Sequence, residues 1–225
     1  MSELLKKKIE KELETGVKML NDLGSIQPMI SIDFVLDDGK ETIVPIMIMD
    51  DNKPKRDMFL NGLGILFGLY KTIGRVKELN SITMLSEAWM SVVKKQDAEM
   101  KRYPKPSEDP NRIEALIVSG IGVDGVCLMT GKEIVSVEVK GKRHFSLNEI
   151  THMKDAVVVE STPLKAFMDG FNRVINEKDK EKIAFLMQGF TLFKDKTFDE
   201  MLKGGIDVLV KQVGGLSSQI INLKK

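Results

Sequence analysis

Ile30-Ser31-Ile32-Asp33-Phe34-Val35-Leu36-Asp37-Asp38-Gly39 is the stretch on which the reading of the fold turns. Ile30, Ile32, Phe34 and Leu36 alternate with Ser31, Asp33 and Val35, the period-two pattern of a half-buried strand. Asp37-Asp38-Gly39 then closes a hairpin, because Gly accepts positive φ at no steric cost and Asp tolerates it. A tight hairpin makes neighbouring strands antiparallel, since parallel neighbours need a crossover of about a dozen residues or more. The returning run from Ile43 to Met49 is apolar on both faces. Pro45 within it has no N–H to donate, which makes this an edge strand or a bulged one.

Downstream the same texture recurs. Residues 79–93 read as a strand, and 94–111 as a long exposed loop punctuated by Pro104, Pro106 and Pro110. Runs at 112–119, 126–130 and 133–140 follow, separated by Val123-Asp124-Gly125 and Thr130-Gly131-Lys132. Short strands joined by Gly turns predict an antiparallel meander. Ser146-Leu147-Asn148-Glu149 has the form of a capping box opening a short helix, and 156–159 offers one more strand.

Helices bracket this sheet. Leu5, Ile9, Leu13, Val17 and Leu20 recur at three- and four-residue spacing, with Ser2 as a cap and Gly24 beyond the end. That is an amphipathic helix, expected to pack within its own chain. A second helix, about 54–74, is capped by Asp51 or Asn52 and carries Pro54 in its first turn. Its interior holds Gly62, Gly64 and Gly68, each costing about 1 kcal/mol against Ala, so close backbone packing is expected there. From Ser161 the texture turns helical, with helices expected from Thr162-Pro163, over about 180–194 and from Thr197 to about 213. Six of the ten phenylalanines lie between 167 and 198, which gives that part a core.

The expected fold is therefore α+β: a mostly antiparallel sheet of five to seven strands with a covering helix, plus a helical C-terminal part. The expected division is 1–160 for the sheet with its N-terminal helix and 161–225 for the helical part, packed on its own core or a shared one. A chain of 225 residues can bury a sizeable core.

Composition excludes several function classes. Lys+Arg is 34 against 33 Asp+Glu, a net charge of +1, whereas a dedicated nucleic-acid binder gathers a basic excess on one face. The clusters Lys6-Lys7-Lys8, Lys94-Lys95 with Lys101-Arg102, and Lys140-Lys142-Arg143 are interleaved with acids and read as solvated surface. The single cysteine, Cys127, forbids an internal disulfide and points to a reducing cytoplasm. No apolar run approaches the length of a membrane span. Fourteen methionines, most within apolar runs, read as core filling.

Motifs for chemistry fail on spacing. Gly62-Leu63-Gly64 with Gly68 falls within a helix, not at the strand-to-helix turn whose free amides cradle a phosphate. Gly131-Lys132 lacks the earlier Gly and the following Ser or Thr of a P-loop and reads as a hairpin turn. Gly120, Gly122 and Gly125 fit a turn between strands. His144 and His152 lie eight apart with no ligand spacing for zinc. Cys127 sits in an apolar run and reads as a buried, inert thiol.

The remaining candidates centre on Ser86-Glu87-Ala88-Trp89 and Asp109-Pro110-Asn111-Arg112-Ile113-Glu114-Ala115-Leu116. Alternation places Glu87 with Trp89 on one face, and Arg112 with Glu114 on one face. If the strands are neighbours, Arg112 can pair with Glu87 and lie over the Trp89 indole. A rival reading gathers Glu87, Glu114 and Asp50 or Asp51 around a divalent cation, without any D-x-D or H-x-D spacing to support it. Tyr103, after Lys101-Arg102, could stack on a single nucleic-acid strand.

The S-E-A-W and D-P-x-R-x-E-A-L segments resemble a pattern in a loose group of uncharacterised microbial α+β proteins. The likeness covers about residues 29–140 and leaves out the N-terminal helix and the helical C-terminus. It implies one sheet unit with these two strands adjacent, and nothing about chemistry.

The function expected from these residues is that of a non-catalytic cytoplasmic protein acting through protein–protein contacts, as a homo-oligomer or with a protein partner. No cofactor or metal is expected, and no membrane association. The alternatives are a metal-assisted hydrolase or nuclease using Glu87 and Glu114, and single-stranded nucleic-acid binding through the 94–103 loop.

Overall fold

The computed structural model describes residues 3–48, 52–90, 109–110, 112–150, 156–157, 162–179 and 181–184. In chain order its elements are α1 (Glu3–Leu23), β1 (Met29–Leu36), β2 (Glu41–Met47), α2 (Lys53–Thr72), β3 (Val76–Met90), β4 (Ile113–Gly122), β5 (Cys127–Val139), β6 (Lys142–Glu149), β7 (Ala156–Val157) and α3 (Thr162–Ile175). The strands make one antiparallel sheet in the order β2-β1-β3-β4-β5-β6, with β7 beside β5. This is an α+β fold. Most of the helices expected over 180–194 and 197–213 lie outside the described residues.

Two compact units share the chain, one of residues 1–29 and 83–159, the other of 30–82 and 160–225. Strand β3 supplies its first half to the second unit and its second half to the first.

In the second unit, β1 and β2 meet at the expected hairpin. Gly39 holds φ 84°, and the Leu36 N–H donates to the Lys40 carbonyl at 2.9 Å. β2 is an edge strand, where the missing N–H of Pro45 does least harm. Val44 and Ile46 are buried and Ile43, Pro45 and Met47 exposed, so one of its apolar faces meets solvent. β1 departs from the half-buried expectation: Ser31 and Asp33 are buried along with Ile30, Ile32 and Phe34. On that face Asp33 Oδ1 accepts a hydrogen bond from Asn80 Nδ2 at 3.3 Å, which offsets part of the cost of burying it.

Helix α2 starts at Asn52, whose side chain accepts the Lys55 N–H, with Pro54 in the first turn. Every residue from Gly62 to Tyr70 is buried. The helix glycines have the reason the sequence demanded. A Cβ on Gly64 would stand 1.9 Å from the Phe167 carbonyl oxygen, and one on Gly170 of α3 would stand 2.1 Å from that of Asn61. The two backbones touch through reciprocal gaps. Phe67 joins the layers, with its ring centroid 5.2 Å from that of Phe34 and 5.9 Å from that of Phe167.

In the first unit, α1 lies across β4, β5 and β6 and buries Leu5, Ile9, Leu13, Gly16 and Leu20. These meet Leu85, Leu116, Val118, Leu128 and Ile134 in one core. The amphipathic face is satisfied within its own chain, as the spacing predicts.

Two expectations in the meander are corrected. Thr130-Gly131-Lys132 is not a turn: β5 runs straight through it, Gly131 opposite Ile117 and Lys132 opposite both Leu116 and Glu149. The chain reverses instead at Lys140-Gly141, with φ 52° and 75°. Two successive positive φ values suit the right-handed twist of a two-residue hairpin, and a buried, extended Gly131 offers none. Ser146-Leu147-Asn148-Glu149 is not a helix start but the second half of β6, paired with Val135 to Lys132. Leu147 and Phe145 pack against the core under α1. Tertiary burial thereby outweighs the local capping signal.

Candidate functional site

Glu87 and Trp89 alternate along the second half of β3, on the face that also carries Thr83 and Leu85. Leu85 is fully covered by α1, while Thr83 Oγ1 donates to Glu12 Oε1 of that helix at 3.3 Å. Beyond them the cover ends. Trp89, near the strand end, is 52 % exposed.

β4 enters beside this end. Its approach is fixed by Asp109, a buried residue whose carbonyl accepts the Arg112 N–H at 3.2 Å. The Arg112 guanidinium then lies over the Trp89 ring, its central carbon 4.1 Å from the centroid. That is a cation–π contact worth about 0.5–1 kcal/mol at an exposed site. It also holds both side chains in one arrangement, though either alone would sample several rotamers.

Glu87 is held differently. Its Oε1 accepts the backbone N–H of Ile26, in the linker between α1 and β1. Ile26 is itself buried, so this carboxylate satisfies an amide that water cannot reach. Burial raises the Glu87 pKa above the usual carboxylate value. The Ile26 hydrogen bond pulls it back, and the nearby Glu114 charge pushes it up again. The net direction is upward. Arg112 is not among the groups that move it; the guanidinium lies over the indole, and the carboxylate accepts from the linker amide.

Four of the residues singled out from the sequence, Glu87, Trp89, Arg112 and Glu114, thus fall at the meeting of β3 and β4. Asp50, Asp51, Tyr103 and the 94–103 loop lie outside the described residues, as does His152. Among the described residues no group of three or more His, Cys, Asp or Glu side chains stands close enough to hold a metal ion. Cys127 is buried at the start of β5. No described helix is long and apolar enough to cross a membrane.

Chemically, the arrangement is a flat, half-exposed aromatic surface topped by a cation, with two carboxylates behind it that repel each other. A cleft of about 250 Å³ lies apart from it, between α1 and β5–β6. Its lining sets Lys6 and Lys132 against Glu10 and Glu149, and Lys132 Nζ contacts Glu149 Oε1 at 2.7 Å. That balance leaves little net charge to draw in an ion.

Two further polar placements escaped the sequence reading. Asp33 was on the polar side of an alternating strand, so nothing local marked it as buried. Asn21 reaches β6 across 124 residues of chain, with its Nδ2 donating to the Phe145 carbonyl at 3.1 Å and its Oδ1 accepting the Phe145 N–H at 2.9 Å. No sequence signal points to that pairing. No protein-family model, no curated protein and no solved structure matches this chain.

Proposed function

We propose that this protein works by protein–protein contact, with a second copy of itself as the first partner, and that the Trp89–Arg112 surface is where the contact forms. The observation that carries this reading is the half-exposed indole stacked by a guanidinium at the strand end. Trp and Arg are the side chains most enriched among residues that dominate binding energy. A pair already locked by stacking loses less conformational entropy on docking than two free side chains would. The exposed apolar face of edge strand β2, Ile43 with Pro45 and Met47, offers a second apolar surface for assembly. The reading includes a reducing cytoplasm for the buried Cys127 thiol.

Trp89 is the only tryptophan, so intrinsic fluorescence reports directly on this surface. Raising the protein concentration should shift the emission to the blue and reduce iodide quenching, in step with a doubling of mass by light scattering. Trp89→Phe removes the fluorescence signal, and Arg112→Ala should weaken association at least tenfold, the scale of a contact worth about 1.4 kcal/mol. A monomer at all concentrations, with unchanging emission, would end the self-association reading.

A second reading rests on the effect of Glu114 on Glu87. A carboxylate whose proton affinity is raised by a neighbouring carboxylate is also a place a divalent cation would stabilise, as a metal-assisted hydrolase or nuclease would use it. A rise in Tm with Mg²⁺ or Mn²⁺ that vanishes in Glu87→Gln is its signature. No rise with either ion removes it.

A further inference from the structure

β4 pairs with β5 only from Cys127 to Glu133, whereas β6 continues beside β5 to Val139. The last part of β5 and the first part of β6 therefore form a ribbon of two strands. Every residue from Ser136 to His144 is exposed. Within it stand Lys140, Lys142 and Arg143 against the single carboxylate Glu138. Three cations to one acid within nine residues is a local excess that the overall charge of +1 conceals.

The ribbon is firmly rooted. Asn21 of α1 closes both backbone hydrogen bonds of Phe145, and the Phe145 ring packs on the core. Its register is pinned by the two-residue turn at Lys140-Gly141. Pleating sorts the tip into two faces. Val137 and Val139 stand with their cross-strand partners His144 and Lys142 on one face, Glu138 with Arg143 on the other. Val137 is 54 % exposed and Val139 48 %. Exposed valines on an edge ribbon are an aggregation risk that a structural role alone does not require.

We propose that this ribbon is a nucleic-acid-binding arm that enters the major groove of a double helix. Two strands about 4.8 Å apart match a groove about 12 Å wide, which admits a two-stranded ribbon. Lys140 in the turn and Lys142 beside the valines lie where they reach phosphates on the groove walls, and the valine methyls meet base edges such as the thymine methyl, while Arg143 stands on the far face. A rooted base and a basic tip are what groove entry needs. The proposal does not rest on the Trp89 reading.

The test is anisotropy of a fluorescein-labelled duplex DNA, titrated with the full chain between about 50 and 200 mM salt. The wild type should bind with an affinity that falls steeply with salt. Changing Lys140, Lys142 and Arg143 together to Gln should make the log–log salt slope shallower by about 2, since Lys140 and Lys142 each contribute about 0.9 through a phosphate contact. Lys7, Lys11 and Lys18, exposed on α1, changed together to Gln, remove the same charge and should leave the slope as it was. Val137→Thr with Val139→Thr should weaken binding without changing the slope. Equal loss in both triple variants would mean that net charge alone acts, and would overturn the proposal. So would binding to phosphatidylserine vesicles without binding to duplex, or full competition by polyglutamate.

Discussion

Replacing Gly64 by alanine sets two effects of opposite sign against each other, and the structure says which is larger. Within a helix the change is favourable by about 1 kcal/mol, because alanine gives up less backbone freedom on folding. Here the new Cβ would lie 1.9 Å from the Phe167 carbonyl oxygen and 2.8 Å from the Phe171 nitrogen. A comfortable C···O approach is about 3.4 Å, so α2 and α3 must separate by about 1.5 Å. The obstacle is backbone on both sides, and no rotamer change relieves it. Separation on that scale breaks the Asn61 Nδ2 to Ala166 carbonyl hydrogen bond, now 3.0 Å, at about 1 kcal/mol. It also opens the Phe67–Phe167 contact, at about 1 kcal/mol, and overpacking strain adds about 1–3 kcal/mol. The sum, less the gain in helix propensity, is a loss of about 2–4 kcal/mol. Equilibrium urea unfolding followed by far-ultraviolet circular dichroism, with the slope compared against wild type, measures it. Gly16→Ala is the control: its Cβ would meet the tip of the Leu116 side chain at 2.7 Å, which can shift, so the loss there should be smaller by about 2 kcal/mol. A Gly64→Ala protein as stable as wild type would mean that α2 and α3 do not touch through their backbones, and the account of this core would fall.

Four further outcomes follow from the hydrogen bonds and from the titration of Glu87. Glu87→Ala leaves the buried Ile26 amide without its acceptor and should cost about 1–3 kcal/mol, whereas Glu87→Gln keeps an acceptor and should cost far less; equal losses in urea unfolding would count against the bond. Because the folded-state pKa of Glu87 is raised, its titration contributes stability below the unfolded value of about 4.5 that is lost as pH rises through the folded pKa. Stability of wild type relative to Glu87→Gln should accordingly fall over that window and then level off; a rise would contradict the assignment. Asn21→Ala should cost about 1–2 kcal/mol and speed hydrogen exchange at the Phe145 amide selectively, and unchanged exchange there would dissolve the clamp. Asn52→Ala removes the α2 cap at a cost of about 1 kcal/mol, read as a drop in Tm of a few degrees; no drop would show that the cap contributes nothing.

Of the candidate site, Trp89 and Glu87 could be set on one face by counting, and Arg112 beside them once the two strands were taken as neighbours. The fate of Glu87 could not. Its partner is the Ile26 amide, 61 residues earlier in the chain, in a linker whose path depends on how α1 docks. Asp33 was hidden for a related reason, since a strand pattern shows which residues share a face and not whether that face is later covered. The path of β5 through Gly131 is not legible locally, because glycine is compatible with a turn, a bulge or a close-packed strand, and only the pairing partner selects among them.

Taken alone, the amino-acid order determined what is local. Side-chain period and turn chemistry placed α1, the β1–β2 hairpin, α2, the Val123-Asp124-Gly125 turn and the α3 start, because a dihedral preference or a capping bond acts within a few residues. Tertiary structure decided what is distant: the contact of Gly64 with Phe167, the Asn21 clamp, the run of β5 through Gly131 and the conversion of Ser146–Glu149 from a capping box to a strand. In each of these the choice rests on burial against residues far along the chain, and a buried apolar face outweighs a local preference of about 1 kcal/mol or less.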